Sequence, residues 1–174
     1  MFNDIFNQEK MLELQNLLLK RNETITCAES CTGGLVASYI TQNSGSSSIF
    51  RGSIVTYCNE IKEQELGVKK ETMIKYGVVS CEVVEEMCIG VLKKFDADYA
   101  IAISGVAGPT GGTKNKPVGT VAIGIISKEK ILDIRIYNFS GNRNEIQIQA
   151  AKTALNTIFE ILSKNSWQKK YISL

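Results

Sequence analysis

Histidine is absent from this chain of 174 residues. Serine and cysteine hydrolases with an imidazole base are therefore excluded, because histidine is the side chain that accepts a proton near neutral pH in those enzymes. Histidine is also excluded as a metal ligand. If the protein is a hydrolase, we expect serine chemistry with a lysine base.

The sequence also lacks paired CxxC motifs, a strong excess of one charge and a long apolar run. Its five cysteines are odd in number and form no zinc pattern, which indicates reduced thiols. The 20 basic and 18 acidic residues leave a net charge of +2, so a nucleic-acid partner is not expected. The first ten residues lack a basic segment followed by an apolar run, and no membrane span occurs. We therefore expect a cytoplasmic protein without a membrane contact, a metal or a cofactor.

Apolar residues make up 44% of the chain, and helical and strand patterns alternate along it. This alternation predicts one domain over residues 1–174, with an α/β fold. We expect a three-layer α/β/α sandwich around a mixed, mainly parallel sheet with a late antiparallel hairpin. The predicted helices are residues 8–20, 33–41, 59–66, 71–76, 80–95 and 144–163, and the predicted strands are residues 24–28, 49–57, 99–103, 118–126 and 131–139.

Three polar segments that contain glycine interrupt the apolar pattern, namely Glu29–Gly34, Gly45–Ser48 and Ser104–Thr113. The first and third segments follow predicted strands. Ligands bind beyond the carboxyl ends of the strands in α/β sheets, so these two segments are expected to meet there. Their meeting would create a binding site.

The first segment precedes a predicted helix and contains Ser30, Thr32, Gly33 and Gly34. Free N–H groups and the positive end of the helix dipole would hold a phosphate or a developing oxyanion there. The same residues also fit an ordinary turn with a serine or threonine cap. The glycines of the third segment allow close approach to a ligand, but they match neither the GxxxxGK[ST] nor the GxGxxG pattern.

In the second segment Gly45 is followed by Ser46–Ser48, a pattern typical of a flexible turn. Tyr57 ends the next predicted strand and Lys62 lies one turn into the next helix, which would let both point back at the serines. A lysine base needs its pKa lowered from about 10.4 to near 7, which costs about 4 to 5 kcal/mol and requires burial or a neighbouring cation. The alternative is a solvated surface lysine. Arg143 is either a phosphate ligand or a surface arginine.

Six motifs occur in order along the chain: AESCTGG, GSSSIFRGSIVTYCNEIK, LGV, YGVVS, AISGVAGPTGGTKNKPVGT and FSGNRN. Together they resemble the C-terminal domain of the CinA family over residues 10–162. Stand-alone members of this family are nicotinamide-nucleotide amidohydrolases. The chain departs from the family pattern where GNRN replaces the common GDRD and where Ile61 replaces the usual alanine before the lysine.

The resemblance implies hydrolysis of the carboxamide of nicotinamide mononucleotide to nicotinate mononucleotide and ammonia, in pyridine-nucleotide salvage. It implies a serine–lysine mechanism without metal, in which Ser47 attacks, Lys62 takes its proton and Tyr57 assists. Ser46, Ser48 and Ser30 are the alternative nucleophiles. The residues implied to hold the substrate are Ser30, Thr32, Gly33, Gly34, Ser104, Gly105, Gly108 and Arg143.

Other functions fit the same segments. The principal alternative is a non-catalytic nucleotide-binding module in a competence- or damage-related assembly, which would need no desolvated lysine facing a serine. A scaffolding domain would leave the glycine segments without a shared pocket. Exposed apolar faces predict a homo-oligomer.

Overall fold

The computed structural model describes the backbone of residues 2–170 and the side chains of residues 2–164. Within these residues, five strands form one sheet: β1 (Ile25–Glu29), β2 (Phe50–Val55), β3 (Tyr99–Gly105), β4 (Thr120–Ser127) and β5 (Ile131–Asn138). The helices are α1 (Gln8–Arg21), α2 (Leu35–Thr41), α3 (Asn59–Leu66), α4 (Lys70–Tyr76), α5 (Cys81–Phe95) and α6 (Arg143–Lys170), with a short 3₁₀ helix at Ser46–Ser48. None of the helices within these residues is long and apolar enough to cross a membrane.

The sheet has the strand order β2-β1-β3-β4-β5. Strands β2, β1 and β3 pair in parallel, whereas β4 pairs antiparallel with both β3 and β5. The mixed sheet and its late hairpin confirm the predicted fold class. The hairpin turn is closed by a hydrogen bond from Ser127 N to the carbonyl oxygen of Lys130 at 2.9 Å.

Two apolar clusters cover the two faces of the sheet and confirm the three layers. Helices α1, α2 and α6 pack on one face, around buried side chains such as Leu14, Ile40 and Leu155. Helix α5 dominates the other face, where Val84 and Met87 pack against β3 and β4. The 3.6-residue spacing of these apolar positions explains why the helices were predictable from the sequence.

One boundary differs from the sequence prediction in a way that affects the site. Helix α2 begins at Leu35 and not at Gly33, because Gly33 and Gly34 have φ angles of 62° and 103°. These values lie in the left-handed region, which a right-handed helix cannot use. The two glycines therefore form a turn between β1 and α2.

The strand register brings three chain segments to one edge of the sheet. Glu29 at the end of β1 pairs with Val55 in β2 and with Ile103 in β3. The residues that follow these three positions are Ser30, Thr56 and Ser104, and they lie side by side at the carboxyl ends of the parallel strands. The meeting of the first and third glycine segments follows from this register.

Gly90 in α5 allows α3 to pack against it, and we expect Gly90→Ala to destabilise the protein. A Cβ atom at position 90 would lie 2.0 Å from the carbonyl oxygen of Leu66, the last residue of α3. Alanine favours a helix by about 1 kcal/mol over glycine, but this clash is with backbone and has to displace α3. We expect the free energy of unfolding to fall by about 1 to 3 kcal/mol in urea titrations.

The control for this prediction is Ile89→Ala, at the neighbouring exposed position of the same helix. It should change the free energy of unfolding by no more than about 0.5 kcal/mol. A stabilised Gly90→Ala variant would show that helix propensity outweighs the clash and would contradict the prediction.

Candidate active site

Lys62 is a buried lysine in the second turn of α3, with only 2% of its surface exposed. Its Nζ donates a hydrogen bond to the carbonyl oxygen of Thr56 at 2.8 Å and lies 3.1 Å from Ser30 Oγ. The alternative of a solvated surface lysine is therefore wrong. A buried amine beside a hydroxyl is the arrangement that a lysine base requires.

Burial also lowers the pKa of the Lys62 ammonium from its ordinary value, because the charged form loses its hydration. Cys58, Cys31 and Glu60 act in the opposite direction, and their effects are smaller than that of burial. The net shift increases the fraction of neutral lysine. Neutral Lys62 can donate one N–H to Thr56 and accept the hydroxyl proton of Ser30.

The structure does not bring Ser47 to Lys62, so the expectation that these two residues face each other is wrong. Ser47 lies in the 3₁₀ helix that precedes β2, whereas Thr56 and Lys62 follow the other end of this strand. Six strand residues span about 20 Å, so the two groups lie at opposite edges of the sheet. Ser46 and Ser48 are excluded as partners of Lys62 for the same reason.

Ser30, the alternative nucleophile, is held in place by the turn that starts at Glu29. The Ser30 N–H donates to the carbonyl oxygen of Ile103 at 3.0 Å, which joins it to β3. The fully buried carboxylate of Glu29 accepts hydrogen bonds from the N–H groups of Gly34, Val36 and Ala37 at 3.0 to 3.1 Å. This carboxylate therefore occupies the N-terminus of α2.

The Glu29 contacts correct the expected role of the first glycine turn. The N-terminal N–H groups of α2 bind an internal carboxylate, so they are not available to a substrate phosphate. Thr32, Gly33 and Gly34 accordingly do not line the cavity at Lys62. Thr32 is buried and Gly33 is exposed.

A cavity of about 260 Å³ opens beside Lys62. Seven of the predicted site residues line it: Ser30, Tyr57, Lys62, Ser104, Gly105, Gly108 and Arg143. The rest of the lining consists of Cys31, Asn59, Val78, Val79, Val106, Ala107, Thr110 and Gly111. The glycine-rich segment after β3 thus forms one wall, and the turn between α4 and α5 adds Val78 and Val79.

Two contacts hold the glycine-rich wall in position. Ser104 Oγ donates to the carbonyl oxygen of Val78 at 2.7 Å, so this hydroxyl has an internal acceptor. Lys116, three residues after this segment, donates from Nζ to the carbonyl oxygen of Tyr76 at 2.6 Å and so joins the following loop to α4.

Arg143 and Tyr57 form a pair at the mouth of the cavity. Arg143 donates from Nη2 to Tyr57 Oη, and from Nη1 to the carbonyl oxygen of Gly108 at 2.6 Å. Tyr57 is 60% exposed and makes this bond in place of a contact with Lys62. A direct role of Tyr57 in moving the Ser30 proton is therefore not supported by this geometry.

Eight lining residues were not selected from the sequence, and Cys31 and Asn59 are the two that lie nearest to Ser30 and Lys62 in the chain. Both lie inside the quoted motifs, AESCTGG and TYCNEIK, so motif position was the available signal. Cys31 is the neighbour of Ser30 and places a thiol in the cavity lining. Burial raises the pKa of its thiol to about 12, so the thiol stays protonated at neutral pH and is a poor nucleophile.

Within the residues that the structure describes, no group of three or more cysteine and acidic side chains is arranged to hold a metal ion. The charged side chains of the cavity are Lys62 and Arg143, and its thiol and hydroxyl groups include those of Ser30 and Cys31. The arrangement is suited to proton transfer from Ser30 to Lys62 beside a guanidinium that attracts anions.

The family model described as the CinA C-terminal domain matches residues 7–162. This chain belongs to the CinA family. The CinA domain is 49% identical over 152 residues to a CinA-like protein of Endomicrobium trichonymphae, covering 87% of this chain and 35% of that protein. It is 46% identical over 157 residues to a CinA-like protein of Thermotoga maritima, covering 90% of this chain and 38% of that protein. The chain thus spans little more than a third of these relatives.

Solved structures of CinA proteins share the fold of this CinA domain. A CinA superfamily protein of Klebsiella pneumoniae superposes with a TM-score of 0.86 at 33% identity, covering 90% of this chain and 98% of that one. The competence/damage-inducible protein CihA of Agrobacterium tumefaciens has a TM-score of 0.83 at 32% identity, covering 88% and 94% of the two chains.

Proposed function

We propose that this CinA domain is a cytoplasmic amidohydrolase that converts nicotinamide mononucleotide to nicotinate mononucleotide and ammonia, for pyridine-nucleotide salvage. The observation that carries the proposal is the distance of 3.1 Å between the buried Lys62 Nζ and Ser30 Oγ. A nucleotide-binding module has no need of a desolvated amine against a hydroxyl. Family membership supports the choice of a nucleotide amide as substrate.

In the proposed mechanism, neutral Lys62 takes the hydroxyl proton of Ser30 as Oγ attacks the amide carbon. The resulting lysine ammonium returns a proton to the leaving nitrogen, and ammonia departs as the C–N bond breaks. Water then attacks the ester that Ser30 has formed with the carboxyl group of nicotinate mononucleotide, and Lys62 takes a proton from this water. Cleavage of the ester releases the carboxylate product and restores the serine hydroxyl.

In this mechanism, the glycine-rich segment after β3 stabilises the oxyanion. The N–H groups at the start of α2 already donate to Glu29. Ala107 and Gly108 line the cavity and would supply backbone N–H groups there, since the N–H of Val106 already donates to the carbonyl oxygen of Thr120 at 2.9 Å. One donor to a developing oxyanion is worth about 3 to 4 kcal/mol of transition-state stabilisation.

The phosphate of the substrate is assigned to Arg143. This residue lines both the Lys62 cavity and an adjoining cavity of about 680 Å³, whose lining also includes Pro109, Val118 and Gln147. The pyridine carboxamide would occupy the smaller cavity, with the ribose phosphate extending toward the guanidinium. The phosphate would then replace Tyr57 Oη and the Gly108 carbonyl as acceptors of Arg143.

Incubation of the purified protein with nicotinamide mononucleotide tests this function. Ammonia and nicotinate mononucleotide should appear in equal amounts and without added metal. Binding of the nucleotide by the folded protein without release of ammonia would favour the binding module over the enzyme. The predicted homo-oligomer is a separate proposal, and light scattering on the same sample measures its mass.

We expect Arg143→Met to raise KM for the nucleotide about 10- to 100-fold, since a charged hydrogen bond contributes about 1.5 to 3 kcal/mol. The matched comparison uses nicotinamide riboside, which lacks the phosphate, and kcat/KM for it is measured with the parent protein and with Arg143→Met. The substitution should change kcat/KM for the riboside by much less. An equal loss of kcat/KM for both substrates would show that Arg143 maintains the structure of the cavity and does not bind the phosphate.

A further inference from the structure

A second cavity, of about 450 Å³, lies between the start of α1, the end of α2 and the middle of α6. It shares no lining residue with the Lys62 cavity. Its apolar lining comes from Phe6, Met11 and Tyr39, and the first two side chains are each only 3% exposed. The proposed amidohydrolase reaction makes no use of this cavity.

A buried lysine faces this cavity. Lys152 in α6 is 7% exposed, and its Nζ donates to Asn3 Oδ1 at 3.0 Å. The same Nζ lies 5.7 Å from the centroid of the Tyr39 ring. Burial lowers the pKa of Lys152. A bound anion would stabilise the charged form of this lysine.

Asn43 provides an independent observation that indicates a ligand. Its side chain lines the same cavity and is 6% exposed. Its Oδ1 accepts a hydrogen bond from Gln8 Nε2 at 3.5 Å, whereas its Nδ2 has no acceptor within the described residues. A buried donor without an acceptor is unfavourable, and a ligand oxygen would satisfy it.

The N-terminus of α1 adds to the attraction for a negative charge. Residues 7–9 at the start of this helix line the cavity, and a helix N-terminus carries a partial positive charge. Glu9 is the opposing group, but its exposed side chain is screened by water. Lys152 and Asn43 are both more than nine-tenths buried, so their contacts with an anion would be screened much less.

We propose that this cavity binds a small organic monocarboxylate with a flat apolar body. One carboxylate oxygen would accept from Lys152 Nζ and the other from Asn43 Nδ2, while the body packs against Phe6, Met11 and Tyr39. One buried cation and one unpaired donor match the single charge and two oxygens of a carboxylate. They match a phosphate poorly, since phosphate carries up to two charges and has more oxygens to satisfy.

Benzoate is the probe that tests the proposal, with benzamide as its uncharged counterpart and inorganic phosphate as the competing anion. Each is titrated into the full ¹⁵N-labelled chain and followed by amide chemical shifts. Benzoate should shift resonances around residues 6–11 and 42–43. Benzamide should bind at least about tenfold more weakly, and phosphate should leave these resonances in place.

Two variants test the assigned contacts. Lys152→Met and Asn43→Asp should each weaken benzoate binding at least about tenfold, while both release ammonia from nicotinamide mononucleotide as the parent protein does. Ser30→Ala should bind benzoate normally, because Ser30 belongs to the other cavity. If Lys152→Met does not fold, the benzoate affinity of Asn43→Asp alone tests the proposal. This variant should fold, since an amide and a carboxylate occupy the same volume.

Four results would overturn the proposal. Benzoate could shift only resonances of residues around Lys62, or Ser30→Ala could abolish its binding. Either result would show that benzoate binds in the Lys62 cavity. Unchanged benzoate affinity in both cavity variants would show that the two contacts are not used. If phosphate bound in this cavity and benzoate did not, the ligand would be a different anion and not a carboxylate. Absence of benzoate shifts at about 10 mM would remove the site altogether.

Discussion

Ser30→Ala should reduce the rate of ammonia release from nicotinamide mononucleotide at least about 1,000-fold, because removal of a nucleophile eliminates the covalent pathway. Ser47→Ala should keep kcat within about twofold of the parent protein, since Ser47 lies about 20 Å away at the opposite edge of the sheet. The two variants make the same chemical change and differ only in position. Steady-state ammonia assays measure both, and circular dichroism checks that each is folded.

A covalent readout distinguishes attack by Ser30 from a merely structural role. Rapid acid quenching during turnover should trap an ester of nicotinate mononucleotide on the peptide that contains Ser30. The same peptide from Ser30→Ala should show no added mass. Full activity in Ser30→Ala together with loss of activity in Ser47→Ala would show that Ser47 is the nucleophile. That result would contradict the assignment of Ser30.

Lys62→Met should reduce kcat about 100- to 10,000-fold, because methionine has a similar length but cannot take the proton of Ser30. Lys70→Met, at an exposed position of α4, is the matched control and should leave kcat unchanged. For the parent protein, kcat/KM should rise with pH as Lys62 loses its proton and then level off. Since burial lowers the pKa of Lys62, this rise should lie below the value of about 10.4 for a free lysine.

The same pKa shift predicts how stability depends on pH. Between the lowered pKa of folded Lys62 and about 10.4, the unfolded chain binds more protons than the folded protein. The free energy of unfolding of the parent protein should therefore rise with pH in this window, relative to Lys62→Met. Each pKa unit of difference contributes about 1.36 kcal/mol. Urea titrations at several pH values measure the effect, and a flat difference would show that the pKa of Lys62 is not lowered.

The fold was predictable because its signals are local. The apolar stripe of α5 and the β-branched runs of the strands give element type and order, and four polar residues between two strands give the hairpin. Boundaries that depend on backbone conformation were less predictable. The start of α2 moved by two residues because Gly33 and Gly34 adopt left-handed angles.

The site was predictable only in part, since its residues come from five separated segments. Motif resemblance identified Lys62, Ser30, Arg143 and the glycine-rich wall. It placed the attack on Ser47, 15 residues from Lys62 in the chain, but the intervening strand β2 carries these residues to opposite edges of the sheet. The turn at Gly33 and Gly34 was assigned to substrate binding. Residue spacing does not reveal that the buried Glu29 carboxylate accepts the N–H groups there.

By itself, the sequence determined that a hydrolase of this kind has no imidazole base, because it contains no histidine, and it identified lysine as the replacement. It also determined an α/β sheet, because periodicity and turn residues act over short distances. Only the tertiary structure decided which serine meets that lysine. The pairing of β1 with β2 and β3 places Ser30 beside Thr56 and Ser104, and burial of α3 against α5 brings Lys62 within 3.1 Å of Ser30 Oγ.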